Sequence, residues 1–322
     1  MKIESKKILI ITGPTSTGKT DLAIKLAKKL NGEIIACDSR QVYTGLDLGT
    51  GKLPGQKISF SKYRDKWIMD GIPIYLYDVI SPKQKFDVDQ YIKKVEPVIK
   101  KILSEEKMPI IVGGTGFYLK ALVEGVASLS VPQDTNLRKE LESYSLEKLQ
   151  ESLRRKDIKK WQSLNESDQK NKRRLIRHLE ILNSGKIENS KKSFNLQGED
   201  FSILKIGLTA SREKLYERSD DRVNKRIELG MIEEAEGLLK DGLSLNRMKE
   251  LGLEYGILAM YLNGEIKKEE ISQILKYKIH GFIRRQLTWF KKEKDIIWFD
   301  ITNKSFYEKV EKEVFKWYHQ TT

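Results

Sequence analysis

The 322-residue sequence is poor in the groups that stabilise small secreted domains or bind structural zinc: it has one cysteine and three histidines. No run approaches the ~20 apolar residues that a membrane span needs. A lone Cys37 excludes an internal disulfide and fits a reducing, cytoplasmic compartment. His178, His280 and His319 are too scattered for zinc-ligand spacing. Met1–Lys7, followed by the short run Ile8–Ile11, lacks the apolar length of a signal peptide. Acidic side chains are the scarcer sign, 46 against 60 basic ones, leaving a net charge of +14. Such an excess suits a polyanionic partner, or else is a lysine-rich surface with none. Its distribution favours a partner: Arg154 to Lys192 carries 13 basic and five acidic side chains, more than half of the net charge.

Against this polar background Ile8–Ile11 reads as a buried strand. It runs into Gly13-Pro14-Thr15-Ser16-Thr17-Gly18-Lys19-Thr20, which fits G-x-x-x-x-G-K-[ST]. Leu22, Ala23, Leu26, Ala27 and Leu30 then recur at helical spacing. Strand, loop and helix in this order form a phosphate cradle: Gly13 and Gly18 let successive N–H groups point inward, and the helix start adds its dipole. Lys19 reaches the outer phosphate oxygens, and the Thr20 hydroxyl can ligate Mg²⁺. The pattern predicts a di- or triphosphate site and leaves open what the phosphate belongs to. A second strand, Glu33–Cys37, ends at the same crevice, immediately before Asp38. That carboxylate can hold a metal, take a proton from a nucleophile, or cap the next turn.

Beyond it, Tyr43–Lys52 is a glycine-rich loop, Pro54–Gly71 an irregular or hairpin-like insertion, and Ile72–Val79 a strand. Asp87 caps a helix running to Lys107, with Pro97 as a kink. Pro109–Val112 is a further strand, and Gly113-Gly114-Thr115-Gly116 is either a close approach to ligand or a tight connection. This alternation predicts an α/β fold with a doubly wound parallel sheet. From 128 to 200 amphipathic helices replace strands (137–155, 157–163, 171–184), which predicts a basic helical insertion domain in a core made of 1–127 and 201–322. Phe201–Leu208 returns as a strand, helices follow to Tyr277, and Ile296–Phe299 is an edge strand. Three helical stretches are basic: Lys172–Arg177, where Arg173 and Arg177 share a face; Arg218–Arg226, with Arg222 four residues from each end; and Lys276–Lys294, interleaved with Tyr277, Phe282, Trp289 and Phe290. Basic groups beside aromatics suit an RNA with unstacked bases.

These motifs resemble the tRNA dimethylallyltransferases, the IPP transferase family. The similarity rests on the P-loop, on Asp38-Ser39-x-Gln41-x-Tyr43, and on Leu48-Gly49-Thr50-x-Lys52. It continues through Val112-Gly113-Gly114-Thr115-Gly116-x-Tyr118-x-x-Ala121-Leu122, Arg174-Leu175-x-Arg177-x-Leu179-Glu180 and Arg285-Gln286-x-Thr288-Trp289-Phe290, nearly the whole chain in the family's order. The resemblance implies a P-loop NTPase-like core and transfer of a dimethylallyl group from dimethylallyl diphosphate to the exocyclic amine of the adenine 3′ of the anticodon. It implies Asp38 as general base, Lys19 and Arg222 stabilising the leaving diphosphate, and Mg²⁺ on Thr20. Ser39, Arg40, Gln41 and Thr115, with Arg173, Arg174, Arg177, Arg284, Arg285 and Gln286, would meet the tRNA; a monomer is the default state.

The chain departs from the family at several places. Gly51 and Leu53 stand in the turn where Gly-Thr-Ala-Lys-Pro is usual, and Ile74 stands where His is expected. Gly252-Leu253-Glu254-Tyr255 replaces a Gly-Tyr-Lys/Arg stretch, and Ile279-His280 replaces Thr-Arg. Two other classes remain open: a small-molecule P-loop kinase in which Asp38 activates a hydroxyl, and a nucleotide-gated RNA-binding protein. A relative that prenylates free AMP is a closer alternative, against which the basic insertion argues.

Overall fold

The computed structural model describes residues 6–53, 59–126, 129, 131–185, 194–198 and 201–320. The start of the sequence, part of the insertion after Lys52 (54–58) and the end of the basic stretch (186–193) lie outside them.

In chain order the elements are β1 (Lys6–Thr12), α1 (Lys19–Lys29), β2 (Gly32–Ala36), β3 (Phe60–Lys62), β4 (Lys66–Met69), β5 (Ile72–Tyr75), α2 (Val88–Ser104), β6 (Met108–Gly113) and α3 (Gly116–Glu124). Five helices follow: α4 (Thr135–Glu142), α5 (Leu146–Lys156), α6 (Ile158–Ser163), α7 (Glu166–Gln169) and α8 (Lys172–Ser184). The chain then forms β7 (Phe201–Thr209), α9 (Arg212–Glu228), α10 (Met231–Lys240), α11 (Leu245–Leu251), α12 (Leu253–Leu262), α13 (Ile271–Phe290), β8 (Ile296–Asp300) and α14 (Phe306–Tyr318).

The eight strands form one sheet in the order β3-β4-β5-β2-β6-β1-β7-β8. From β5 to β8 all neighbours are parallel, and β3 and β4 add an antiparallel ribbon at one edge. This is the doubly wound, P-loop NTPase-like fold. With paired strands on both sides and helices packed against it, β1 has no solvated face, so Ile8–Ile11 is apolar throughout rather than alternating. Side chains of β1, β2, β6 and β7 pack on α1 and α14 in one cluster that includes Leu22, Leu26 and Val314. A second cluster joins α9 to α13 through Leu215, Val223, Leu258, Leu275 and Ile283.

Three expected elements differ. The strand over Ile72–Val79 stops at Tyr75, because Leu76 and Asp78 adopt positive φ (66° and 55°). The helix predicted over 137–155 is two helices, since the Ser145 side chain accepts from Lys148 N and starts a new one. Asp87 caps α2 through a full capping box with Gln90, but the helix ends at Ser104.

The chain divides into two compact units, Met1–Val123 with Leu196–Thr322, and Glu124–Asn195, so the helical segment begins and ends a few residues earlier than composition suggested. The second unit packs around Leu149, Leu153, Trp161, Leu175 and Leu179. Its α8 ends on Gly185, whose φ of 60° is the left-handed stop glycine provides. Among the described residues no helix is long and apolar enough to cross a membrane.

Candidate active site

A cleft of about 1200 Å³ opens in the first unit where the C-terminal ends of β1, β2 and β6 face α9, α12 and α13. The P-loop forms one wall. Gly13 has φ 133°, and a Cβ there would lie 2.1 Å from the Leu208 carbonyl oxygen, so the close passage of β7 demands glycine. Gly18, φ 84°, is the N-cap of α1 and offers no side-chain bond, leaving the N–H groups of the first turn directed at the cleft. The Thr17 hydroxyl and the Lys19 ammonium both donate to the Pro14 carbonyl, at 2.9 and 2.7 Å. Burial, and then the Arg222 charge, push Lys19 down to about 7, with Asp38 pulling the other way.

Three arginines on one face of α9 close the opposite wall. Arg218 Nε donates to the Ser16 carbonyl at 2.7 Å, and Arg222 Nη1 lies 3.5 and 3.4 Å from the Thr15 and Ser16 hydroxyls. Arg226 Nη1 donates to the Gly49 carbonyl at 3.2 Å and pairs with Glu254 at 3.1 Å. The neighbouring Arg226 charge, and then burial, lower Arg222 to about 9, which leaves it charged at neutral pH.

Asp38 lies between these walls. Its Oδ1 accepts from Arg40 N at 2.8 Å and Gln41 N at 3.3 Å, so it does cap the following turn. Its Oδ2 has no hydrogen-bond partner among the described residues, and Asp38 lines the cleft. The segment is held on both sides: Ser39 N donates to the Thr115 hydroxyl at 3.3 Å, and Gln41 Nε2 to the Thr50 carbonyl at 3.4 Å. The glycines beside Thr115 are required by protein atoms. A Cβ at Gly113 would lie 1.9 Å from the Cys37 carbonyl oxygen, and one at Gly114 would lie 2.7 Å from Gln286 Nε2.

Gln286 lines the cleft and is committed to the P-loop and the turn after β6. It is 7% exposed, accepts from Thr15 N at 2.9 Å and donates to the Gly114 carbonyl at 3.0 Å, because α13 passes directly behind the P-loop. In the helical unit Arg177 is likewise engaged, pairing with the buried Glu180 and donating to the Val131 carbonyl at 2.8 Å. Arg174 pairs with Asp168. Arg173 is exposed, while Arg40, Arg284 and Arg285 line the cleft in the first unit.

Sequence reasoning missed the supports of the 43–52 loop. The Glu234 carboxylate accepts from Asp47 N, Leu48 N and Gly49 N at 2.9, 2.8 and 3.1 Å, and from the Tyr255 hydroxyl at 2.6 Å. Lys52, 2% exposed, pairs with Asp47 at 2.7 Å and with Asp78, and donates to the Tyr43 carbonyl at 2.8 Å. In sequence Glu234 is an ordinary acidic residue in a helix's first turn, so nothing singled it out. Thr20 and Tyr77 both line the cleft. Among the described residues no three His, Cys, Asp or Glu side chains gather to hold a metal. A cation here would have Thr20 and few other protein ligands, an arrangement that fits magnesium bound through substrate phosphates.

The family model described as IPP transferase matches residues 41–293. A tRNA dimethylallyltransferase from Pelotomaculum thermopropionicum is 37% identical over 322 residues, covering 98% of this chain and 98% of that one. One from Ligilactobacillus salivarius is 36% identical over 311 residues, covering 93% and 94%. The full-length tRNA isopentenylpyrophosphate transferase of Bacillus halodurans superposes with a TM-score of 0.69 at 32% identity, over 97% of this chain and 96% of that one. A eukaryotic dimethylallyltransferase captured acting on tRNA gives a TM-score of 0.75 at 26% identity, over 97% and 78%. With P-loop, Asp38 and the α9 arginines gathered in one cleft, and with identity of this extent along the whole chain, the protein belongs to the IPP transferase family.

Proposed function

We propose that the protein transfers a dimethylallyl group from dimethylallyl diphosphate to the exocyclic amine of the adenine 3′ of the anticodon in tRNA. The observation that carries this is the uncommitted Oδ2 of Asp38 in the same cleft as an uncapped P-loop. The amine nitrogen bonds to C1 of the donor while the C1–O bond breaks. Its electron pair leaves with the diphosphate, and the amine proton goes to Asp38 Oδ2. Gly13 to Thr20 hold the diphosphate, and Lys19 and Arg222 stand on either side of the charge that grows on it. The Thr20 hydroxyl would help hold magnesium, which when bound would supply further neutralisation of the leaving group. An aryl amine is a weak nucleophile, so fixing Asp38 through Arg40 N, Gln41 N and the Ser39–Thr115 bond adds to catalysis by position.

The adenine must leave the loop stack to reach Asp38. Ser39, Arg40 and Gln41 would receive it, Arg284 and Arg285 the backbone around it, and Arg173 of the helical unit another phosphate of the tRNA. The buried lone thiol supports a cytoplasmic setting. The test incubates the protein with Mg²⁺, labelled dimethylallyl diphosphate and unmodified tRNA, then digests to nucleosides for mass analysis. A dimethylallyladenosine peak, lost in Asp38→Asn, is the expected result. ATP turnover without prenyl transfer would overturn it in favour of a kinase or a nucleotide-gated switch.

A further inference from the structure

Of the three arginines along α9, the proposed transfer uses Arg222, and Arg218 is engaged with the P-loop backbone. Arg226 remains, and its surroundings are built around it. Gly51 has φ 66°, and a Cβ there would lie 2.0 Å from Nη2 of Arg226 and 2.8 Å from Nη2 of Arg222. Both guanidinium groups thus lie over one backbone position, where glycine gives them room and its positive φ costs nothing.

Their charges are met unequally. Arg226 bonds the Gly49 carbonyl and pairs with Glu254, both side chains being 14% exposed. Among the described residues Arg222 has no carboxylate within ion-pair distance, only the two long approaches to hydroxyls. A cation with a like charge on one side and a phosphate loop on the other is driven toward the loop.

We propose that Arg226 is a positioning residue for donor binding: anchored by Glu254 and the Gly49 carbonyl in the space left by Gly51, it holds the Arg222 guanidinium at the mouth of the P-loop. This rests on reading Arg222 as the arginine of the donor diphosphate. Glu254 neutralises Arg226, so Arg222 keeps the unmet demand for an anion. Two departures from the family pattern then belong together, because a methyl group at 51 would collide with Arg226 and a cation at 254 would repel it.

The test measures inorganic diphosphate binding to the full chain by calorimetry, with melting temperatures alongside and KM for donor and tRNA from transfer assays. Arg226→Gln and Glu254→Gln are each expected to weaken diphosphate binding about tenfold, with tRNA KM moving less than about twofold. Arg226→Lys keeps the charge and is expected to stay within about threefold of the parent. Gly51→Ala weakens binding in the parent but adds less in an Arg226→Ala background, where the closest clash is gone and only the 2.8 Å approach to Nη2 of Arg222 is left. The strain of alanine at positive φ is common to both backgrounds and cancels. Unchanged diphosphate affinity in Arg226→Gln overturns the proposal, as does a rise confined to tRNA KM. Equal losses in Arg226→Lys and Arg226→Gln that track melting temperature overturn it too, as a purely structural effect. Failure of the transferase reading shows separately, as absence of prenyl transfer by the parent, while diphosphate binding still reports the coupling.

Discussion

The backbone N–H of Thr15 and the side-chain oxygen of Gln286 are 2.9 Å apart across a sequence separation of 271 residues. The same amide donates to the Gly114 carbonyl, so one buried side chain ties the P-loop to the turn after β6. Gln286→Ala leaves a donor and an acceptor unsatisfied, each worth about 1–3 kcal/mol when buried. The expected outcome is a lower melting temperature together with weaker diphosphate binding. Gln286→Glu should restore neither, because a carboxylate cannot donate to Gly114 and would repel the phosphate. Calorimetric unfolding and diphosphate titration check both.

Asp38→Asn keeps an oxygen able to accept from Arg40 N and Gln41 N, so the turn survives. It removes the proton acceptor. Prenyl transfer should fall by about 10²–10⁴-fold, the usual range for a lost general base. Melting temperature, diphosphate affinity and tRNA affinity should stay near the parent's. A parallel loss of binding would mean that the carboxylate acts through the fold.

Lys19 is held down to about 7, by burial first and Arg222 second, against an ordinary value of 10.5. Between these values the unfolded chain binds the proton that the folded chain lacks, so stability rises with pH through this window. The cost of the buried ammonium is full below about 7 and fades toward 10.5. In anion-free buffer Lys19→Met should raise the melting temperature at about pH 6, with a gain that shrinks by about pH 9.5. A gain independent of pH would argue against an ammonium disfavoured by burial.

Arg173 and Arg177 lie one turn apart on α8, yet their substitution should have opposite consequences. Arg177 and Arg138 share the Glu180 carboxylate, whose side chain is 1% exposed. Removing the sole partner of a buried charge costs about 3–5 kcal/mol; Arg138 still pairs with Glu180, so Arg177→Ala should destabilise the helical unit by less than that. The two arginines, after the cost of burial, hold Glu180 below its usual range. Its contribution is therefore present above the unfolded value and lost as pH falls through the lowered one. Arg173→Ala should leave stability unchanged and lower the log–log salt slope of tRNA binding by about one. Proteolysis and filter binding at graded salt separate the two.

The P-loop was legible because its chemistry is contiguous: eight consecutive residues, a strand before and a helix after. Asp38 was legible as a cap and as a cleft carboxylate, and it is both, one oxygen for each. The glycines at 113 and 114 were ambiguous, and it is the Cys37 carbonyl and the Gln286 amide that require them. Arg177 and Gln286 carry family motifs that read as RNA contacts, and in the fold they meet Glu180, Val131, Thr15 and Gly114. A motif marks a residue as constrained without saying by what.

The sequence by itself determined the alternation of strands and helices, the phosphate cradle, the basic helical segment and the resemblance along the chain, because each is written in local spacing or local composition. Only the tertiary structure decided which charged side chains stay available to a ligand. Among the described residues Arg222 has no carboxylate partner, while Arg226 with Glu254, Lys52 with Asp78 and Glu234 with the 47–49 backbone depend on partners 26 to 187 residues away. A guanidinium's role follows from the charges that folding places beside it.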